Sequence, residues 1–209
     1  MPGWIRRSFT SPGLTQIPPG RHIGTLRSRY DGGVVMLCID VSGSMDGRPI
    51  REAVRGAEQF VAEAVEARYQ VGLMLWNTTV VELAEPTPDG TGAMKVLSRT
   101  NHAAGGNDLI GPLKRCHHVL DRFKDAPDRV VALFGDGDLT PKDQVLRKVT
   151  QMKQENIRFV TRGLGSYAAA EFGEISSEEP ASAAVDNVEN LADGIAAMAS
   201  SLKKKRRRG

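Results

Sequence analysis

The sequence predicts an α/β fold: a Rossmann-like three-layer sandwich with a mostly parallel central sheet, one antiparallel edge strand and helices on both faces. Three observations carry that prediction. The run Val34-Val35-Met36-Leu37-Cys38-Ile39 is apolar without alternation and stops abruptly at Asp40, as a strand buried on both faces of a parallel sheet does. Two further runs, Tyr69–Trp76 and Val130–Phe134, share this character. Between the runs lie segments with apolar residues at helical spacing, and strands alternating with helices argue for βαβ winding.

Taken in order, the first strand is followed by a helix opened by Arg48-Pro49-Ile50, where proline's missing N–H costs little. Ile50, Val54, Ala57, Phe60, Val61, Ala64 and Val65 form its apolar stripe, through about Ala67. Tyr69–Asn77 reads as the second strand. Thr78–Leu83 reads as a third, antiparallel to it because so little chain separates them, and ended by Pro86, Pro88, Asp89 and Gly90. Met94, Val96 and Leu97 suggest a short helix, Asn101–Asn107 a loop, and Leu109–Phe123 a longer helix. After the strand Val130–Phe134, Thr140 is expected as the N-cap and Pro141 as the first residue of a helix running to about Asn156. Ile157–Leu164 is a fifth strand, Ala168–Ile175 a short helix and Ala183–Val185 a brief sixth strand. Leu191, Ile195, Met198 and Leu202 form the stripe of a last helix.

The 209 residues, 40% hydrophobic and 25% charged, suit one soluble globular domain. The net charge of +3 hides an asymmetry. Eleven of the 28 basic residues lie in residues 1–30 and 203–208, leaving 17 against 25 acids between them, a formal charge of −8 for the body. We therefore divide the chain into an extended basic arm containing Pro and Gly (1–32), a domain (33–202) and a basic tail (203–209). Trp4, an aromatic among the arm's arginines, is a candidate anchor for a partner. The tail residues Lys203, Lys204, Lys205, Arg206, Arg207 and Arg208 are candidates for an acidic partner or for nucleic-acid phosphates. Two cysteines without a framework spacing, no apolar stretch behind the N-terminal arginines and no membrane-length apolar window point to a cytoplasmic protein with no membrane association.

Asp40, Ser42 and Ser44 follow the first strand at i, i+2, i+4, so a still-extended segment would aim all three at one place. Open α/β sheets bind ligands just outside the carboxyl ends of their strands, and oxygen-only ligands suit a hard cation such as Mg²⁺. Two other segments fall where they could join: Gly105-Gly106-Asn107-Asp108 before a helix, and Asp136 after a buried strand. His102, His117 and His118 do not form a zinc set with Cys116. Adjacent histidines on a helix point to different faces, and the cysteine has no neighbour of its kind in sequence.

With these three segments the chain resembles the von Willebrand factor type A (VWA) domain and its metal-ion-dependent adhesion site (MIDAS). The D-x-S-x-S pattern is met by Asp40, Ser42 and Ser44 within I-D-V-S-G-S-M. G-G-N-D-L-I-G-P-L resembles the family's glycine-threonine loop, and F-G-D-G-D its strand-end Asp-Gly. The resemblance implies that Mg²⁺ (or Mn²⁺) is bound directly by Ser42 and Ser44, with Asp40 and Asp136 acting mostly through water. Asn107 stands where the family has a threonine. The resemblance further implies a partner protein that supplies a carboxylate, and a bacterial intracellular setting beside an AAA+ ATPase or in a stress or defence complex.

The function expected is a metal-dependent protein–protein interaction module within a multiprotein complex. No catalytic residue is assigned, for there is no Ser-His-Asp arrangement, no phosphate-binding G-x-x-x-x-G-K-[ST] loop and no His or Lys base beside the motif. One alternative is a Mg²⁺-dependent phosphoryl-transfer enzyme with Asp40 as nucleophile, although Ser42 stands where a second acid is wanted. The other is a nucleic-acid-binding or scaffold protein acting through its basic ends.

Overall fold

In the computed structural model, which describes residues 32–137, 139–178, 184, 185 and 187–204, the unalternating run becomes the central strand. β1 (Gly33–Asp40) is buried along its whole length. It pairs in parallel with β2 (Tyr69–Trp76) on one side and β4 (Arg129–Gly135) on the other. β3 (Val80–Thr87) runs antiparallel at the edge beyond β2. β5 (Ile157–Leu164) and the two-residue β6 (Ala184–Val185) extend the other side in parallel, giving the order β3-β2-β1-β4-β5-β6. The expected mixed sheet is present.

Successive residues of β1 feed opposite cores. Val35, Leu37 and Ile39 pack with α1 (Arg48–Glu66), α2 (Thr91–Leu97) and α6 (Leu191–Lys204). Val34, Met36 and Cys38 pack with α3 (Ile110–Asp121), α4 (Lys142–Gln154) and α5 (Gly165–Ile175). That period-two division is why the run shows no alternation: both faces are covered by helices. Leu191, Ile195, Met198 and Leu202 of α6 are all buried, as their spacing requires. Cys38 and Cys116 are free and buried, and Trp76 is core.

Three local expectations are corrected. The third strand spans Val80–Thr87 rather than Thr78–Leu83. It contains Pro86, which an edge strand tolerates because one side of its ladder has no partner to receive an N–H. Thr140 is not the N-cap of α4. Pro141, joined to it by a cis peptide bond, takes that place with extended ψ, and no side chain caps the helix. The segment after β1 is extended only through Ser42, because Gly43–Met45 winds into a 3₁₀ turn. The arm, including Trp4, and tail residues Lys205 to Arg208 lie outside the described residues; of Lys203 and Lys204 only the helical backbone is described.

Candidate metal and partner-binding site

The site is built at the carboxyl ends of β1 and β4. Asp40 closes β1 in register with Trp76 of β2 and is fully buried. One of its oxygens, Oδ1, accepts the Ser42 backbone N–H at 2.7 Å, which turns the chain sharply after the strand. Ser42 Oγ lies 3.2 Å from Ser44 Oγ, and Ser44 Oγ donates to Asp136 Oδ1 at 2.9 Å. The 3₁₀ turn thus brings the two serines together by a route other than continued extension.

The Gly105–Asp108 segment is sewn onto this turn by its backbone. Gly43 N–H donates to Gly105 O at 3.0 Å, and Ala104 N–H to Val41 O at 2.8 Å. Two further residues do the positioning. Asn77, just beyond β2, donates from Nδ2 to Ala104 O at 2.6 Å and accepts Asp108 N–H on its backbone oxygen at 3.1 Å. Asp46 accepts Ala103 N–H at 3.1 Å and pairs with the exposed His102 at 2.9 Å. The sequence signal for Asn77 was its place at the end of a parallel strand beside the motif strand. Asp46 carried none.

These contacts produce an open cleft of about 360 Å³ lined by Ser42, Ser44, Asn107, Asp136, Tyr167 and four glycines. Four of the five candidate ligands therefore share its lining, and Asp40 lies beneath. Gly137 leaves room for the Asn107 amide: a Cβ there would sit 1.9 Å from Asn107 Nδ2 and force that side chain to move. Tyr167, in the first turn of α5, is exposed over 64% of its surface and faces the same cleft. It too had no sequence signal, since only the topology brings it here.

Burial pushes the Asp40 carboxyl up from 3.8 to about 6. Backbone and side-chain hydrogen bonds from Ser42 act against that rise, and the neighbouring Asp136 charge adds to it. Its second oxygen, Oδ2, is buried and has no hydrogen-bond partner among the described residues. Leaving such an atom unpaired costs about 1–3 kcal/mol or more. The donors around it are hydroxyls, carboxylates and an amide, which is the chemistry of a hard divalent cation. On both counts the residues fit a Mg²⁺ or Mn²⁺ ion.

Residues 35–138 match the von Willebrand factor type A domain family. The chain carries a VWA domain. No curated protein matches it. Among solved structures, the chain is similar to the vWF domain of the type V pili tip protein Mfa5 from Porphyromonas gingivalis, at 12% identity and TM-score 0.73, covering 84% of this chain and 96% of that one. It is also similar to the pilus adhesin SpaC from Lactobacillus rhamnosus GG, at 12% identity and TM-score 0.71, covering 84% of this chain but 30% of that one. The SpRpn10 VWA domain is 13% identical at TM-score 0.63, covering 78% of this chain and 93% of that one. At these identities the likeness establishes the VWA fold. No helix among the described residues is long and apolar enough to cross a membrane.

Proposed function

We propose that this VWA domain is a metal-dependent interaction module. Ser42, Ser44 and Asn107 hold Mg²⁺ or Mn²⁺ directly, Asp40 and Asp136 hold it through water and charge, and the open face of the ion takes a carboxylate from a partner protein. The observation that carries this reading is the convergence of four of these side chains on one open cleft above a buried carboxylate oxygen that no donor among the described residues satisfies. Neutral hydroxyl and amide ligands leave the ion electrophilic, so an anionic group is the ligand it favours.

The module is not an enzyme in this reading. Among its described residues the cleft lining offers no His, Lys or Arg to move a proton or hold a phosphate. Asp40 is fully buried beneath the cleft and is not presented as a nucleophile. A cytoplasmic, bacterial setting in a multiprotein complex, such as one built on an AAA+ ATPase or serving stress or defence, is supported by the family resemblance alone. The pilus proteins among its fold neighbours share only the fold. A pull-down in Mn²⁺ tests the reading: it predicts a partner lost in EDTA and lost again with Ser42→Ala. Identical capture under all three conditions would overturn it.

A further inference from the structure

A second group of metal-ligating side chains lies where α3 and α4 end. His117 and Asp121 are i, i+4 on α3 and share a face of the helix. Glu155, the residue capping the C-terminus of α4, reaches the same point. One ligand atom from each of the three lies within 4.8 Å of the others. The His117 side chain is only 13% exposed, against 35% for Glu155 and 43% for Asp121.

We propose that His117, Asp121 and Glu155 form a binding site for a borderline divalent transition metal of the Zn²⁺ class, clipping α3 to α4 independently of the cleft. The donor set is one imidazole and two carboxylates, which suits such an ion and neutralises its charge. It differs in kind from the oxygen-only cleft.

The protons in the present arrangement show what the metal would displace. Lys148 Nζ lies 2.6 Å from His117 Nδ1 and is a donor only, so Nδ1 accepts and Nε2 carries the proton shared with Glu155 Oε2 at 2.8 Å. A metal at Nε2 takes the place of that proton, which passes to Nδ1; Nδ1 is then a donor, so the Lys148 ammonium must turn away from the ring. Lys148 keeps its second acceptor, Gln151 Oε1 at 3.1 Å. Asp121 gives up an exposed pair with Lys124 at 2.9 Å, a contact of the kind that contributes at most about 1 kcal/mol.

The distances are within reach. Two ligands each about 2.1 Å from a tetrahedral ion stand about 3.4 Å apart. The His117–Glu155 pair at 2.8 Å therefore opens by about 0.6 Å, and the other separations, all within 4.8 Å, close by at most about 1.4 Å. Rotation of the half-exposed Asp121 side chain supplies the larger movement. The histidines alone make no zinc set; the carboxylate from the neighbouring helix, remote in sequence, completes one.

Zn²⁺ alone is the probe, titrated calorimetrically into the metal-stripped full chain in Mg²⁺ sufficient to saturate the cleft, with thermal melts alongside. One equivalent of Zn²⁺ and a higher melting temperature are expected, both retained in Ser42→Ala and both lost in His117→Ala. Asp121→Asn, an exposed near-isosteric change, gives the same loss without threatening the fold. No Zn²⁺ uptake by wild type, or uptake unaltered by His117→Ala and Asp121→Asn, overturns the site.

Discussion

Asp40 shows the conflict between stability and function most directly. Its folded pKa of about 6 exceeds the ordinary 3.8 because burial disfavours the charge. Between those values the native state binds more protons than the unfolded state, so this group's contribution to stability falls as pH rises through the window and stays low above it. The shift corresponds to about 3 kcal/mol at 1.36 kcal/mol per pH unit. Asp40→Asn keeps the acceptor for the Ser42 N–H and removes the charge. In metal-free urea denaturation at pH 7 it should stabilise the fold by about 1–3 kcal/mol, with the difference from wild type shrinking toward pH 4. The same variant should lose Mg²⁺ binding. A destabilised Asp40→Asn at pH 7 would show that the carboxylate is satisfied in the native state. Beside it, Gly137→Ala puts a Cβ 1.9 Å from the Asn107 amide. It should weaken metal affinity by roughly 10–100-fold, as loss of a supporting contact at a metal typically does, and a Mn²⁺ titration checks this.

Among the elements, those buried on two faces were legible in the sequence and those at edges and ends were not. β1, β2 and β4 stand out because both of their faces need apolar residues. β3 is half exposed and carries Pro86, so neither periodicity nor propensity marks its limits. The start of α4 departs from the sequence pattern: Thr140-Pro141 satisfies the usual helix-opening signature, yet Pro141 itself stands at the N-cap with extended ψ. The contact between α1 and α6 offers a test that sets propensity against packing. Gly56 lies inside α1, where alanine would gain about 1 kcal/mol from helix propensity. Yet a Cβ there would lie 2.5 Å from Ala192 O and 2.7 Å from Ala192 Cα, both backbone atoms of α6. Backbone cannot yield as a side chain tip does, so Gly56→Ala should destabilise by about 1–3 kcal/mol in chemical denaturation. A neutral or stabilising result would mean that the two helices part at no cost.

At the scale of the whole molecule, the strand order gathers the site. β1 and β4 are sheet neighbours although their last residues are almost a hundred positions apart, and the Gly105–Asp108 segment is hydrogen-bonded to the residues that follow β1 and β2. That Asp40, Ser42, Ser44 and Asp136 come together was legible because they end or follow two unmistakable strands. Tyr167, Asn77 and Asp46 were not, since their roles depend on which loops the sheet brings together. The acidic body and basic ends are also a property of the whole chain. Deleting residues 203–209 should abolish whatever salt-sensitive nucleic-acid affinity the protein has while leaving metal binding intact, which gel shifts at two salt concentrations would check. The central claim rests on the cleft, and calorimetric titration of Mg²⁺ and Mn²⁺ into metal-free wild type beside Ser42→Ala tests it most directly. Saturable binding to wild type, absent in Ser42→Ala, is the predicted result. Binding of equal strength in both, or none in either, would contradict it.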